Sequence, residues 1–153
     1  MGPFIREPGT YALILTLPES NVIRIGRSGE FRFPAGRYAY LGSAQGPGGL
    51  AGRLRRHLRP SEQKQRHWHI DYLMEEALVD QVWWMQGSRN ECNWVDRLIV
   101  YGEILHPGFG SSDCQCPGHL FWFADDNRLQ LAWCSMRKSL GAAGDHLFRK
   151  HVQ

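Results

Sequence analysis

Residues 37–60 read RYAYLGSAQGPGGLAGRLRRHLRP, and three successive patterns in this stretch decide the fold. In Arg37–Leu41 two tyrosines fall on one face and two aliphatic side chains on the other, which predicts a strand. Gly42–Gly49 contains four glycines and a proline, which predicts a turn-rich loop. Leu50–Arg59 has a leucine at every fourth position and is stopped by Pro60, so it predicts a helix with one buried stripe. A strand, a glycine loop and a basic helix therefore follow one another directly.

The segments on either side of this stretch predict an α+β fold. Short apolar and aromatic runs predict further strands at Tyr11–Leu17, Val22–Gly26, Phe31–Phe33 and Val79–Gln86. Helical patterns cover Ile70–Leu78, Glu91–Tyr101 and Ser139–Lys150. Two short runs, Leu120–Phe123 and Leu129–Trp133, flank Asp125-Asp126-Asn127 and predict a hairpin. The expected architecture is a small, mainly antiparallel sheet flanked by helices, with a C-terminal β-hairpin extension.

Length and composition favour one soluble domain. Of the 153 residues, 42% are apolar and 22% are charged, which excludes disordered and low-complexity classes. We expect a single domain over 1–153, with a core at 9–101 and the segment 102–153 packed on that core. No apolar run is long enough to span a bilayer and no signal peptide is evident, so we expect a cytoplasmic protein without membrane contacts. The four cysteines favour reduced thiols or a metal site over a disulfide-stapled scaffold.

The net charge of +3 conceals an uneven distribution of charge along the chain. Residues 21–69 carry a net charge of +8, nearly all of it from arginine, whereas residues 70–135 carry −7. Guanidinium groups form paired hydrogen bonds to phosphates and stack on bases, so an arginine-rich half indicates a nucleic acid partner. The alternative is a solvated arginine surface without a partner. Charge alone leaves both interpretations open.

Two tripeptides, Gly9-Thr10-Tyr11 and Tyr40-Leu41-Gly42, begin an ordered set of motifs. The helix after the second tripeptide carries Arg53 and, one turn later, His57; a later helix begins at Glu91. In this order the motifs resemble the GIY-YIG nuclease superfamily. The longer strings GRYAYLGSA, RLRRHLR, HWHIDYL and GFGSSDCQCPGHLF resemble its Uri-type endonuclease branch, DUF123. The resemblance covers roughly residues 9–134.

The sequence departs from the family pattern at two points. Thr10 and Leu41 stand where the family usually has isoleucine, but both are strand positions, so the expected sheet is unaffected. The segment Val22–Phe33 separates the tripeptides more widely than in compact members and predicts an extra hairpin, which would alter substrate access. The glycines of the tripeptides, Gly9 and Gly42, are structural positions of the motif.

The resemblance implies a metal-dependent endonuclease that hydrolyses DNA phosphodiester bonds. Tyr11 and Tyr40 lie on neighbouring strands; one takes the proton of the attacking water and the other orients water or phosphate, and which one is the base stays open. Arg53 is the cation that lowers the pKa of a tyrosine and binds a phosphate oxygen, and His57 contacts phosphate or shares the base role. Glu91 is the single carboxylate ligand of one Mg²⁺ or Mn²⁺ ion.

Further basic residues are expected to contact the nucleic acid, namely Arg55, Arg56, Arg59 and His69. Each candidate also has an ordinary structural interpretation. A strand tyrosine usually packs with its hydroxyl bonded, an arginine on a helix is usually solvated, and a glutamate is favoured in a first helical turn. The ordered set, rather than any one residue, therefore indicates a nuclease site.

Two more clusters carry groups that could bind a metal. His67 and His69 flank Trp68, with Asp71 nearby, and they are either ligands or phosphate contacts, or a helix cap beside a packed tryptophan. Cys92, Cys114, Cys116 and His119 have the residue types of a structural Zn²⁺ site. The alternative for these four is reduced thiols in a glycine-rich loop, with a disulfide less favoured in the cytoplasm.

Two other classes of protein compete with the endonuclease. One is a nucleic-acid-binding module on the same fold that has lost turnover and acts inside a DNA repair complex. The other is a zinc-stabilised interaction protein in which residues 92–119 matter most. Because all five positions of the ordered set are filled, the endonuclease is the preferred interpretation. The sequence carries no indication of the oligomeric state.

Overall fold

The computed structural model of the protein describes residues 4–87, 90–110, 115–140 and 147–152. Its strands are β1 (Gly9–Leu17), β2 (Asn21–Arg24), β3 (Glu30–Phe33), β4 (Gly36–Ala44), β5 (Leu78–Gln86), β6 (Leu120–Phe123) and β7 (Leu147–His151). Its helices are α1 (Gly49–Leu58), α2 (His69–Leu73), α3 (Glu91–Leu98) and α4 (Asp126–Leu140), with short 3₁₀ turns at Gly26–Ser28 and Ser61–Gln63.

Five strands form one sheet in the order β6-β4-β1-β5-β7, and β2 pairs with β3 as a separate hairpin. Every pairing among the described strands is antiparallel. The α+β class is confirmed, as is the extra hairpin between the two tripeptides. The C-terminal elements belong to the same sheet as the N-terminal ones, because β6 pairs with β4 and β7 with β5.

The two tripeptides meet on the central strands of the sheet. In the β1–β4 register Tyr11 lies opposite Gly42, and Leu13 lies opposite Tyr40, so the two tyrosines are diagonal neighbours on one face. A β-carbon at Gly42 would collide with the Tyr11 ring and hydroxyl. The glycine of the second tripeptide therefore makes room for the tyrosine of the first.

Alternating side chains of the central strands divide between two apolar layers. Tyr11 and Tyr40 pack with α1 and α2 through Leu50, Leu54 and Ile70. The opposite face packs on α3 and α4, through the buried side chains Ala12, Ile14, Leu41, Trp83, Trp94, Val95, Leu98, Leu129 and Trp133. The central strands are covered on both faces, which fixes the position of the residues on them.

The predicted C-terminal hairpin is wrong, because the second of its strands lies inside helix α4. Leu129, Ala132, Trp133 and Met136 are buried at helical spacing, and they continue well past the predicted strand. Asp125, which was expected to form a hairpin turn, accepts a hydrogen bond from the Arg128 amide at 2.9 Å, as a residue at a helix start does.

The predicted helices on either side of the sheet also need correction. The terminal helix expected over Ser139–Lys150 is wrong over its last part, which belongs to strand β7 and pairs with β5. Ser139 and Leu140 end helix α4, and residues 141–146 lie outside the described part of the chain. The helix expected over Ile70–Leu78 ends much earlier, because α2 stops at Leu73 and β5 begins at Leu78.

Within the described residues, we find no helix of the length and apolarity needed to traverse a bilayer.

Candidate active site

Four of the predicted catalytic side chains line one cleft. Its volume is about 340 Å³, and Tyr11, Tyr40, Arg53 and Glu91 are among its walls. The fifth residue, His57, is buried at the far side of the Tyr11 hydroxyl. Strands β1 and β4 supply the tyrosines, α1 supplies the arginine and histidine, and α3 supplies the glutamate, so the cleft forms where these elements meet.

Tyr11 and His57 form a buried hydrogen-bonded pair. The Tyr11 hydroxyl lies 2.7 Å from His57 Nε2, and the histidine is only 1% exposed. Burial, together with the nearby charge of Lys64, lowers the pKa of His57 to about 3, so its imidazole is neutral near pH 7. A hydroxyl that donates to Nε2 requires the Nδ1–H tautomer of the neutral imidazole, and we adopt this tautomer because a phenol is a stronger donor than an imidazole N–H.

Both tyrosines are protonated phenols in this environment. Burial raises the pKa of Tyr11 above its ordinary value, and the nearby Arg53 charge opposes that increase. Burial also raises the pKa of Tyr40, to which the neighbouring Tyr11 adds a smaller effect. Tyr11 differs from Tyr40 in having a histidine to which it can pass its own proton.

Arg53 is a fixed cation at the edge of the cleft. Its Nη1 donates to the Ser43 carbonyl at 3.1 Å, and its guanidinium carbon lies 4.7 Å from the centre of the Trp68 ring. The backbone and the aromatic face hold the side chain, so its charge needs little reorganisation to meet an anion. This arrangement suits the predicted phosphate contact.

Glu91 opens α3 and faces the cleft with a side chain that is 13% exposed. Its Oε2 lies 3.7 Å from His119 Nδ1. The start of α3 is held against β1, because the Asn90 amide donates to Thr10 Oγ1 at 3.0 Å. Sequence reasoning treated Thr10 only as a departure from the usual tripeptide. Its hydroxyl, which isoleucine lacks, positions the element that carries Glu91.

The donor set in the cleft fits a mostly hydrated Mg²⁺ or Mn²⁺. Mg²⁺ in proteins keeps several waters and is held through one or two carboxylates, and here one carboxylate faces a polar cleft with space for water. Among the described residues there is no group of three or more His, Cys, Asp or Glu side chains that could enclose an ion. The cleft is therefore suited to an ion that Glu91 shares with water and substrate.

The residues expected to contact nucleic acid have different surroundings. Arg55, Arg59 and His69 are exposed, as such contacts require, and His69 lines the cleft. Arg56 instead forms two hydrogen bonds of 2.9 Å with the buried Asp71. The positive charge of Arg56 is therefore already paired with a buried carboxylate before any ligand binds.

The cluster around Trp68 is a helix cap. Asp71 Oδ2 accepts hydrogen bonds from the backbone amides of His67 at 2.8 Å and Trp68 at 2.9 Å, at the start of α2. Burial alone would raise the pKa of Asp71, but the Arg56 and backbone donors lower it to about 2. The capping alternative is confirmed for Asp71, while His67 and Trp68 also line the cleft.

The cysteines adopt an arrangement that differs from the sequence expectation. Cys92 and Cys116 form a disulfide with a Cα–Cα distance of 6.2 Å, although reduced thiols or a zinc site were expected. Cys114, the third expected sulfur ligand, lies outside the described residues. His119 approaches Glu91. Two of the four residues expected to bind zinc thus have their sulfur atoms bonded to each other, and zinc binding remains a prediction.

Fold and cleft together define an α+β protein with a tyrosine–histidine pair, an arginine and a carboxylate around one polar cavity. The chain belongs to the DUF123 family, described as "Domain of unknown function DUF123", which matches residues 10–142. The match spans most of the chain and includes α1, α3 and nearly all of β1. No curated protein and no solved structure matches this chain.

Proposed function

We propose that the protein is a GIY-YIG-type endonuclease that hydrolyses DNA phosphodiester bonds with the help of one divalent ion. The observation that supports this most is the convergence of Tyr11, Tyr40, Arg53 and Glu91 on one cleft, with His57 bonded behind Tyr11. The set combines a proton acceptor, a phosphate-binding cation and a ligand for a hard metal ion, which are the groups that phosphodiester hydrolysis requires.

We assign the general base to Tyr11 rather than Tyr40. As Tyr11 takes the proton of the attacking water, its own proton passes along the 2.7 Å hydrogen bond to His57 Nε2. Burial disfavours both a free phenolate and a free imidazolium at this pair, so the two proton transfers are concerted with the attack of the water, and the charge on His57 is balanced by the negative charge that develops in the cleft. Tyr40 stays protonated and donates a hydrogen bond to water or to a phosphate oxygen.

Arg53 is the residue of the protein itself that supplies positive charge to the reaction, in addition to the charge of the divalent ion. It lies close enough to Tyr11 to favour the deprotonated phenol, and it faces the same cleft as the phosphate. Because the Ser43 carbonyl and Trp68 already fix the guanidinium, its stabilisation of the developing charge costs little reorganisation. Glu91 would hold Mg²⁺ or Mn²⁺, which when bound polarises the phosphate and lowers the pKa of water.

A cleavage assay tests this proposal. Labelled duplex, branched and single-stranded DNA are incubated with the protein and Mg²⁺, Mn²⁺ or a chelator. We expect cleavage of at least one DNA form with either ion, and no cleavage with chelator. Glu91→Gln should not cleave under the same conditions, and Glu103→Gln is its matched control, since it removes an exposed carboxylate on the segment after α3. Metal-independent cleavage, or tight DNA binding with no cleavage of any form, would contradict the proposal; the second result favours the binding module.

A further inference from the structure

A second pocket lies beside the cleft, and the mechanism above does not use it. This basic pocket has a volume of about 400 Å³ and is lined by Arg56, Arg59, Lys64, Arg66 and His67, with no acidic side chain among its lining residues. Four cations around one concave surface attract an anion. His67 lines both this pocket and the cleft, so the two are neighbours.

The floor of the basic pocket is built from buried charges. Lys64 has a side chain that is only 2% exposed; its Nζ donates to the His57 carbonyl at 2.8 Å and lies 3.9 Å from Asp71 Oδ1. Arg56 binds both oxygens of the same carboxylate. Two cations thus share one anion, and the floor retains a net positive charge before any ligand arrives.

The rim of the basic pocket has cations that can turn to a ligand. Arg59 is exposed and has no ion-pair partner within the described ranges. Arg66 is 55% exposed and pairs with Glu75 at 2.7 Å. Exposed ion pairs of this kind stabilise a protein very little, so Arg66 can exchange its carboxylate for a phosphate at small cost.

Trp68 contacts an arginine of each site. The centre of its ring lies 4.7 Å from the Arg53 guanidinium and 4.4 Å from the Arg56 guanidinium. Arg53 faces the cleft and Arg56 faces the basic pocket. One aromatic ring therefore contacts both the guanidinium that would meet the reacting phosphate and the guanidinium in the floor of the second pocket.

We propose that the basic pocket binds a backbone phosphate that flanks the cleaved bond on the same DNA strand. The proposal rests on the proposed function, and it adds that the substrate must be a polynucleotide extending past the cleft on the His67 side. A phosphate in the basic pocket and the reacting phosphate in the cleft fix the strand at two points, which sets its register over Tyr11 and Glu91.

Binding of labelled single-stranded DNA in a chelator, measured by anisotropy over a range of salt concentrations, tests this proposal. The double variant Arg59→Gln/Arg66→Gln removes the two rim charges, and Arg97→Gln removes one exposed charge on α3 as a matched control. We expect the double variant to bind roughly tenfold more weakly, with a salt slope shallower by about 0.7 for each phosphate that the protein no longer neutralises. Arg97→Gln should bind like wild type.

The outcomes separate this proposal from the proposed function. Cleavage by wild type, with a double variant that binds DNA as tightly as the control, overturns the basic pocket and leaves the endonuclease standing. DNA binding that depends on Arg59 and Arg66 without any cleavage supports the pocket and overturns the endonuclease. In a third arm, pyrophosphate is added as a free anion. If it binds tightly through Arg59 and Arg66 while DNA affinity is the same in both variants, the occupant is a free anion and the proposal is overturned.

Where wild type cleaves, turnover gives a second readout. A phosphate in the basic pocket does not react, so its contacts should be equally strong before and during the reaction. The double variant should therefore raise KM and leave kcat nearly unchanged. A decrease confined to kcat would contradict the proposal, provided that the melting temperature equals that of wild type.

Discussion

At the residue scale, the Tyr11–His57 pair is the proton-transfer pair of the proposed reaction. The hydroxyl and Nε2 are 2.7 Å apart in a buried setting, and the histidine is neutral near pH 7 because its pKa is about 3. A tyrosine whose proton has a defined destination is a better base than its raised pKa alone suggests. The same burial makes the pair costly to disrupt, so its function and its stability can be tested together.

Tyr11→Phe should lower cleavage by roughly 10²- to 10⁴-fold, because proton transfer is removed. It should also lower the free energy of unfolding by about 1–3 kcal/mol, because His57 is left without its buried partner. Tyr38→Phe is the matched control: it removes a hydrogen bond to the Pro34 carbonyl on the same strand face, away from the cleft. Rate and denaturation measurements on both variants check this. Equal cleavage by the two would contradict the relay.

His57 should also make stability depend on pH in a defined direction. Its pKa is lower in the folded protein than in the unfolded chain, where it is near 6.5. The unfolded chain therefore binds more protons below that value, and the free energy of unfolding falls as pH drops from about 6.5 toward 3, by up to roughly 1.4 kcal/mol per pH unit. Asp71, whose pKa falls from an ordinary value of 3.8 to about 2 in the folded protein, adds its own loss of stability mainly below about pH 4.

Urea denaturation at several pH values between about 4.5 and 7.5 measures this dependence. His57→Gln should flatten the slope, whereas His67→Gln, which changes an exposed histidine, should keep it. A slope that is the same in wild type and His57→Gln would show that the buried histidine does not titrate as its surroundings require.

Asp71 is a buried carboxylate that pairs with two cations, so its replacement should cost much stability. Its buried carboxylate binds Arg56, two backbone amides and, at longer range, Lys64. Asp71→Asn leaves buried cations without their anion, so we expect the free energy of unfolding to fall by roughly 3–5 kcal/mol. Glu75→Gln breaks only the exposed pair with Arg66 and should cost well under about 1 kcal/mol. Chemical denaturation of both variants checks the contrast; similar decreases would contradict it.

At the scale of elements, local sequence patterns predict the secondary structure best in the part of the chain that forms the cleft. The β4–loop–α1 stretch has alternation, four glycines and a leucine stripe in succession, and each feature lies within a few residues of the next. Tyr40, Arg53 and His57 lie in this stretch, but the ordered set of motifs over residues 9–91, and not the local patterns, indicated that they belong to a site. The pairing of Asp71 with Arg56 and the role of Thr10 did not, because both depend on partners that are distant in the chain.

The C-terminal elements were mispredicted for physical reasons. Aspartates favour both turns and helix starts, so Asp125-Asp126 is compatible with a hairpin turn as well as with the start of a helix. Only the helical spacing of the apolar residues, which continues beyond Trp133, favours α4. Strand β7 is short, polar and at the edge of the sheet, where only Leu147 is buried. Its conformation depends on pairing with β5, which no local pattern encodes.

The Cys92–Cys116 disulfide ties α3 to the loop that precedes β6, across 24 residues. Reduction of this bond should lower the free energy of unfolding by about 3 kcal/mol. The melting temperature of wild type should therefore drop in reductant, while Cys92→Ser should melt lower and show no reductant effect. Cys134→Ser, at an exposed free thiol, should behave like wild type. Stoichiometric zinc with reactive thiols would contradict the disulfide and support the zinc prediction.

At the scale of the whole molecule, the sheet brings distant parts of the chain to one cleft. Strand β1 lies between β4 and β5, and α3 follows β5, so Tyr11, Arg53 and Glu91 meet although 80 residues separate the first from the last. The basic pocket extends this surface along the end of α1 and the segment between α1 and α2. A DNA strand that crosses both the basic pocket and the cleft would contact cations in the pocket and would have its reacting phosphate beside the Glu91 carboxylate in the cleft.

Glu91→Gln tests the central claim most directly, since it keeps the size of the side chain and removes one negative charge. Melting temperature, DNA binding in chelator and Mg²⁺-dependent cleavage are measured on one preparation of wild type and variant. We expect that cleavage collapses while metal-free DNA binding persists or tightens, because a carboxylate facing phosphate has been neutralised. A residue that only favours the helix start would cost about 0.5 kcal/mol of stability and nothing specific in cleavage. Full metal-dependent cleavage by Glu91→Gln would contradict the account.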